Sequence, residues 1–155
     1  MLGRVRGNPR PFVFIAIAVA LIVAFFVVVA PLFNTSSNLT AEIAVTLPTT
    51  AIAGRQLEID AGIDNTGTRS ITPICVTADV QGPIRPDHAI FGSVDRRTFN
   101  GNSACGGSLA GQATVSVRLF FNPTAAGRAT ISLRPATQAR PVGTAISGSL
   151  TVAPA

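Results

Sequence analysis

Two patterns of apolar positions divide the chain. Residues 12–30 read FVFIAIAVALIVAFFVVVA, with no polar or charged side chain. From residue 41 the pattern becomes an alternation of period two. Ile43, Val45 and Leu47 share one face, and Leu57, Ile59, Ala61 and Ile63 alternate with Glu58, Asp60 and Asp64. The same period runs through Ile74, Val76, Ala78 and Val80, through Val115, Val117, Leu119 and Phe121, and through Ala129, Ile131 and Leu133. A last run, AISGSLTV, ends at Val152. Alternation of this kind marks strands buried on one face and wet on the other, as in antiparallel sheets. Asn65-Thr66-Gly67, Gln81-Gly82-Pro83, Asn122-Pro123 and Ala126-Gly127 supply turns between the runs. No long helical period follows residue 33. The fold class expected is all-β, an antiparallel sandwich of six to eight strands over residues 41–155, preceded by one N-terminal helix.

The first run predicts that helix over residues 11–33. Nineteen apolar residues at about 1.5 Å each span roughly 28 Å, close to a bilayer core. Pro11 suits a first turn and Pro31 a stop. Arg4, Arg6 and Arg10 precede the run, whereas LFNTSSNLT after it is uncharged. The positive-inside rule then places residues 1–10 as a basic cytoplasmic tail and the sandwich outside, with 34–40 as a polar tether. The chain is expected in the plasma membrane as a single-pass protein. The helix is expected to remain as an uncleaved signal anchor, with the lipid bilayer as its partner, because the run exceeds the 7–15 apolar residues typical of a cleaved leader and Pro31 would follow the cut. Cleavage and secretion is the alternative. No cysteine lies near residue 31, so a lipoprotein anchor is excluded.

Composition refines the picture. The net charge of +5 suggests nucleic acid at first sight. Three of the arginines belong to the N-terminal tail, however, and the others are scattered among all seven acids apart from the pair Arg96-Arg97. Nucleic-acid binding is therefore not expected. Lysine is absent, as codon bias in a GC-rich bacterial genome would produce. Trp and Tyr are also absent, which argues against a stacking platform for carbohydrate.

LEIDAGIDNTGTRSITPICVTADV resembles the opening strand, N-T-G turn and second strand of bacterial Ig-like modules of the CARDB family. FNPTAAGRATISL resembles a later stretch of such modules, and together the two cover about a third of the chain. The resemblance implies an Ig-like antiparallel sandwich acting as an extracytoplasmic scaffold or interaction domain. It carries over no catalytic residue.

Cys75 and Cys105 are the only cysteines. Both fall outside the membrane by the topology above, where a disulfide is favoured. Cys75 has the opposite parity to Ile74, Val76 and Ala78, so the bond is expected to pin the stretch 81–108 to a sheet edge or outer surface rather than to cross the core. Candidate chemistry is sparse. His88 is the only histidine, follows Asp87 and reads as a loop residue, and no G-x-S-x-G motif presents a serine. Asp60, Asp64 and Asn65 bring oxygens near one turn, but a calcium site usually has a denser acid cluster. No enzyme, metal or cofactor is expected. Residues 81–112 form the most individual stretch, too long for a hairpin loop. They read either as irregular edge strands or as a binding loop carrying Phe91, Arg96, Arg97 and Phe99. The function expected is non-enzymatic: binding of a protein partner, or service as an accessory subunit of an envelope complex. A passive structural or adhesion element is the alternative, although no internal repeat supports adhesion.

Overall fold

The structure, a computed structural model, describes residues 39–138 and 140–155. The helix expected over 11–33 and the start of the tether lie outside the described residues. Among the described residues, no helix is long and apolar enough to cross a membrane.

Ten strands make up the described part: β1 (Ala41–Val45), β2 (Thr50–Ile52), β3 (Leu57–Asn65), β4 (Cys75–Gln81), β5 (Ile84–Phe91), β6 (Asp95–Thr98), β7 (Ser103–Cys105), β8 (Thr114–Pro123), β9 (Gly127–Ala136) and β10 (Ile146–Ala153). They form two five-stranded sheets, ordered β1-β3-β8-β5-β6 and β2-β10-β9-β4-β7. All pairings are antiparallel except that of β2 with β10. The four strands β1-β3-β8-β5 and the three strands β10-β9-β4 reproduce the A-B-E-D and G-F-C sheets of an immunoglobulin-type sandwich. The chain crosses from the first sheet to the second between β1 and β2.

The alternation read along the sequence becomes the core. Ile59, Ile63, Val117, Leu119 and Phe121 of the first sheet meet Val76, Ile131, Leu133, Leu150 and Val152 of the second in one buried cluster. Glu58 and Asp60 stand exposed on the outer face of β3. The turn Gln81-Gly82-Pro83 joins β4 to β5 with Gly82 at φ +91°, and a Cβ there would strike the Arg128 carbonyl, so glycine is needed at this position.

Asn65 ends β3 and is 2% exposed. Its Nδ2 donates to the carbonyls of Arg69 (2.7 Å), Ala110 (2.9 Å) and Leu109 (3.2 Å), and its Oδ1 accepts from the Gly67 N–H (3.1 Å). One side chain thereby ties the β3–β4 connection to the segment before β8. Thr40, expected as the end of the tether, is held as well: its carbonyl accepts from the Thr66 N–H at 3.1 Å.

The stretch 81–112 departs from the loop reading. It carries the eight-residue β5, fully integrated beside β8, and the short edge strands β6 and β7. The chain runs from β5 to β6 at the edge of the first sheet, then to β7 at the edge of the second, before returning to β8. Cys105 of β7 lies directly opposite Cys75 of β4, with a disulfide between them. The bond is therefore within one sheet and fixes an edge strand, as the parity of Cys75 implied. In antibody domains the corresponding bond crosses between the sheets.

Candidate functional site

The four residues singled out in the sequence separate into two buried rings and two surface cations. Phe91 closes β5 at 5% exposure and faces the core. A Cβ on Gly106, just past the disulfide, would sit 2.6 Å from its ring, so Phe91 packs tightly against the backbone of that edge. Phe99 packs partly buried against the core, its ring centroid 6.3 Å from that of Phe121. Phe91 is therefore taken up by the core, whereas Phe99 keeps part of its ring exposed. Arg96 and Arg97 of β6 are exposed. The Arg97 Nε donates to Asp95 Oδ1 at 2.6 Å, a half-exposed pair that orients the side chain more than it stabilises the fold.

The structure also assembles a cluster on the outer face of the first sheet that sequence reading missed. His88 is not a loop residue: it belongs to β5 and is 6% exposed. A register shift between Pro86 and His88 turns its ring outward onto β8, where it stacks on Phe120 at 4.3 Å between centroids and 9° between planes. His88 Nδ1 is 2.9 Å from Asp87 Oδ2 and 3.4 Å from an Arg96 terminal nitrogen. The shorter contact places the proton on Nδ1, donating to Asp87. Arg96 then lies beside the ring as a neighbouring cation. Gln56 Nε2 donates to the same Asp87 oxygen at 3.0 Å. The sequence offered only Asp87-His88 and, thirty-two positions on, Phe120-Phe121, and the bulge that brings them together also breaks the alternation by which β5 could have been read.

The cluster is well partnered. The cross-strand neighbour of His88 on β6 is Thr98, and the contacts of the histidine are Asp87, Arg96 and Phe120. Both cysteines are spent in the disulfide. What the arrangement offers is display. Arg96 and Arg97 project from the edge strand β6, and the next strand in the chain, β7, is covalently pinned at the edge of the other sheet. Val94, in the turn between β5 and β6, adds an apolar side chain that is 86% exposed. Asp60 and Asp64 face outward from β3 while Asn65 points inward, so the three oxygens considered for calcium do not converge.

No protein-family model and no curated protein matches the chain. Solved structures do. AvmM, which catalyzes macrocyclization in alchivemycin A biosynthesis, is similar at a TM-score of 0.52 and 11% identity, over 76% of this chain and 89% of that one. The E. coli alpha-2-macroglobulin is similar at a TM-score of 0.50 and 13% identity, over 74% of this chain but only 7% of that much longer one. The CARDB domain of PF1109 from Pyrococcus furiosus is similar at 0.46 and 15% identity, over 76% and 94% of the two chains. Solved CARDB domains are thus among the structures this sandwich is similar to. At such identities the likeness establishes the Ig-like sandwich alone. The fold occurs in a protein that catalyzes a macrocyclization and as a small part of a much longer chain, so it assigns no activity by itself.

Proposed function

We propose that the chain is a single-pass plasma-membrane protein, N-terminus in the cytoplasm, that displays one non-enzymatic Ig-like sandwich outside the membrane. There it binds a protein partner as an accessory subunit of an envelope complex. The apolar run 12–30 and the arginines before it support the anchor and its orientation. The disulfide of Cys75 and Cys105 fits an oxidising compartment. The short tether keeps the sandwich near the bilayer.

The observation that carries the binding reading is the exposed β6 edge, with Arg96 on the face of the His88–Phe120 stack, Arg97 on the opposite face and Val94 in the turn beside them. Arginine beside aromatic and apolar side chains, held on a paired strand, is the chemistry of protein hot spots. The test is in-cell crosslinking of the tagged protein at native level, followed by mass spectrometry of the membrane fraction. A stoichiometric partner is expected with the wild type and lost with the doubly reversed variant Arg96→Glu/Arg97→Glu. Recovery of the wild-type chain alone would favour the passive structural role. Retention of the partner by the reversed variant would remove this edge as the binding surface.

A further inference from the structure

The opposite edge of the first sheet has a gap. β1 pairs with β3 only from Ala61 to Asn65, although β3 begins at Leu57. After Val45 the chain leaves the sheet through Pro48 and reaches the second sheet, where the Thr49 carbonyl accepts from the Thr151 N–H. Leu57–Asp60 of β3 is thereby left without a neighbouring strand on that side. Backbone groups of alternate residues in a strand point to opposite neighbours. The Asn65 N–H is directed to Ala113, towards β8. Asp60 and Glu58 lie five and seven residues earlier, at odd offsets, so their backbone groups point to the vacant side. The ladder of β1 with β3 stops at the pair Val45 and Ala61, and no other strand pairs with β3 on that side, so nothing in the sheet continues past Ala61 towards Glu58.

A groove runs along this bare edge. Val45, Pro48, Ile59 and Ile146 give it an apolar lining, and Glu58 and Asp60 stand on its outer rim. Four of the seven acids of the chain, Glu42, Glu58, Asp60 and Asp64, are on the outer face of β1 and β3. Arg118 is the cation next to them. It is the cross-strand partner of Asp60, and its terminal nitrogen is 3.7 Å from Glu58 with both side chains about half exposed. Such a pair is weakly held in water and leaves this rim acidic. β2 offers a second bare edge of three residues, but there the Ile52 carbonyl already accepts from the Arg55 N–H.

We infer that the gap beside Leu57–Asp60 is a docking site for an extended, basic segment of a protein partner, added antiparallel to β3 where β1 stops. Strand addition satisfies open backbone groups at a sheet edge and reads alternate side chains. Here one set of side chains would enter the apolar groove, and the other would stand opposite Glu58 and Asp60, which selects arginine or lysine. The site is independent of the β6 edge, so either surface can fail its test without the other.

The test is residue-resolved amide exchange on the full chain in detergent micelles. The probe is a short synthetic peptide alternating valine and arginine, compared with the same peptide carrying glutamate in place of arginine. In the free chain the Glu58 and Asp60 amides are expected to exchange quickly. The arginine peptide is expected to slow both by at least about tenfold, while Ile59, already buried and paired to β8, changes little. The glutamate peptide is expected to have no effect, and the Glu58→Lys/Asp60→Lys variant is expected to reverse the preference. Two results would overturn the proposal. One is equal or absent protection by the two peptides. The other is slow exchange of both amides before any peptide is added, which would mean that another part of the chain or a second copy already covers the edge.

Discussion

Asn65 occupies the last inward position of β3, where the neighbouring strand positions hold isoleucine and alanine. A buried amide at such a position is costly unless every polar atom is paired. Here its two N–H groups serve three carbonyls, with the shorter contacts to Arg69 and Ala110, and its oxygen takes the Gly67 N–H. Truncation would strip partners from both connections at once. Asn65→Ala is expected to lower the unfolding free energy by about 3 kcal/mol in a denaturant titration, since each buried polar group left unpaired costs about 1–3 kcal/mol. Asn65→Asp is expected to cost at least as much, because a carboxylate oxygen would then face carbonyl oxygens. A loss below about 1 kcal/mol for the alanine variant would contradict this role. The sequence shows Asn65 as a turn residue. Its phase with Leu57, Ile59, Ala61 and Ile63 was the sign that its side chain turns inward, but two of the three carbonyls it serves, those of Leu109 and Ala110, lie more than forty residues away and so outside any local pattern.

At the scale of elements, legibility followed burial on one face. β3, β8, β9 and β10 are central or long, and their alternation reads directly from the sequence because the sandwich core enforces it. β5 lost its alternation at the Pro86 bulge, where one extra residue changes which face follows. β6 reads Asp-Arg-Arg-Thr with no buried member, since an edge strand needs no apolar face, and its charges also discourage pairing with another chain. β2 and β7 are three residues each, too short to show a period. The same edge explains why the disulfide is useful. β7 has little apolar surface of its own, and the bond to β4 holds it. Replacing both cysteines by alanine is expected to cost roughly 3–4 kcal/mol for a closed stretch of 30 residues. Amide exchange should rise in β6 and β7 while β3, β8 and β9 remain protected. Uniform acceleration through both sheets would show instead that the bond supports the whole core.

For the whole molecule, the alternating pattern after residue 41 carried the all-β sandwich, and the strand order makes it Ig-like. Function was less legible, because the side chains that define its surfaces meet only through the register. His88 and Phe120 are thirty-two positions apart in the chain and stack through the β5–β8 pairing. The bare edge beside Glu58 exists only because β1 leaves the sheet at Val45. Both surfaces can serve an extracytoplasmic partner only if the sandwich stands outside a membrane and stays attached to it. The most direct test is external proteolysis of intact cells, followed by intact-mass analysis of the membrane fraction. The untreated protein is expected to resist a salt wash and to retain residues 12–30. Added protease is expected to remove the sandwich while leaving the N-terminal residues behind. A sandwich protected until the cells are lysed, or a mature chain released into the medium and beginning at or after Pro31, would contradict this arrangement.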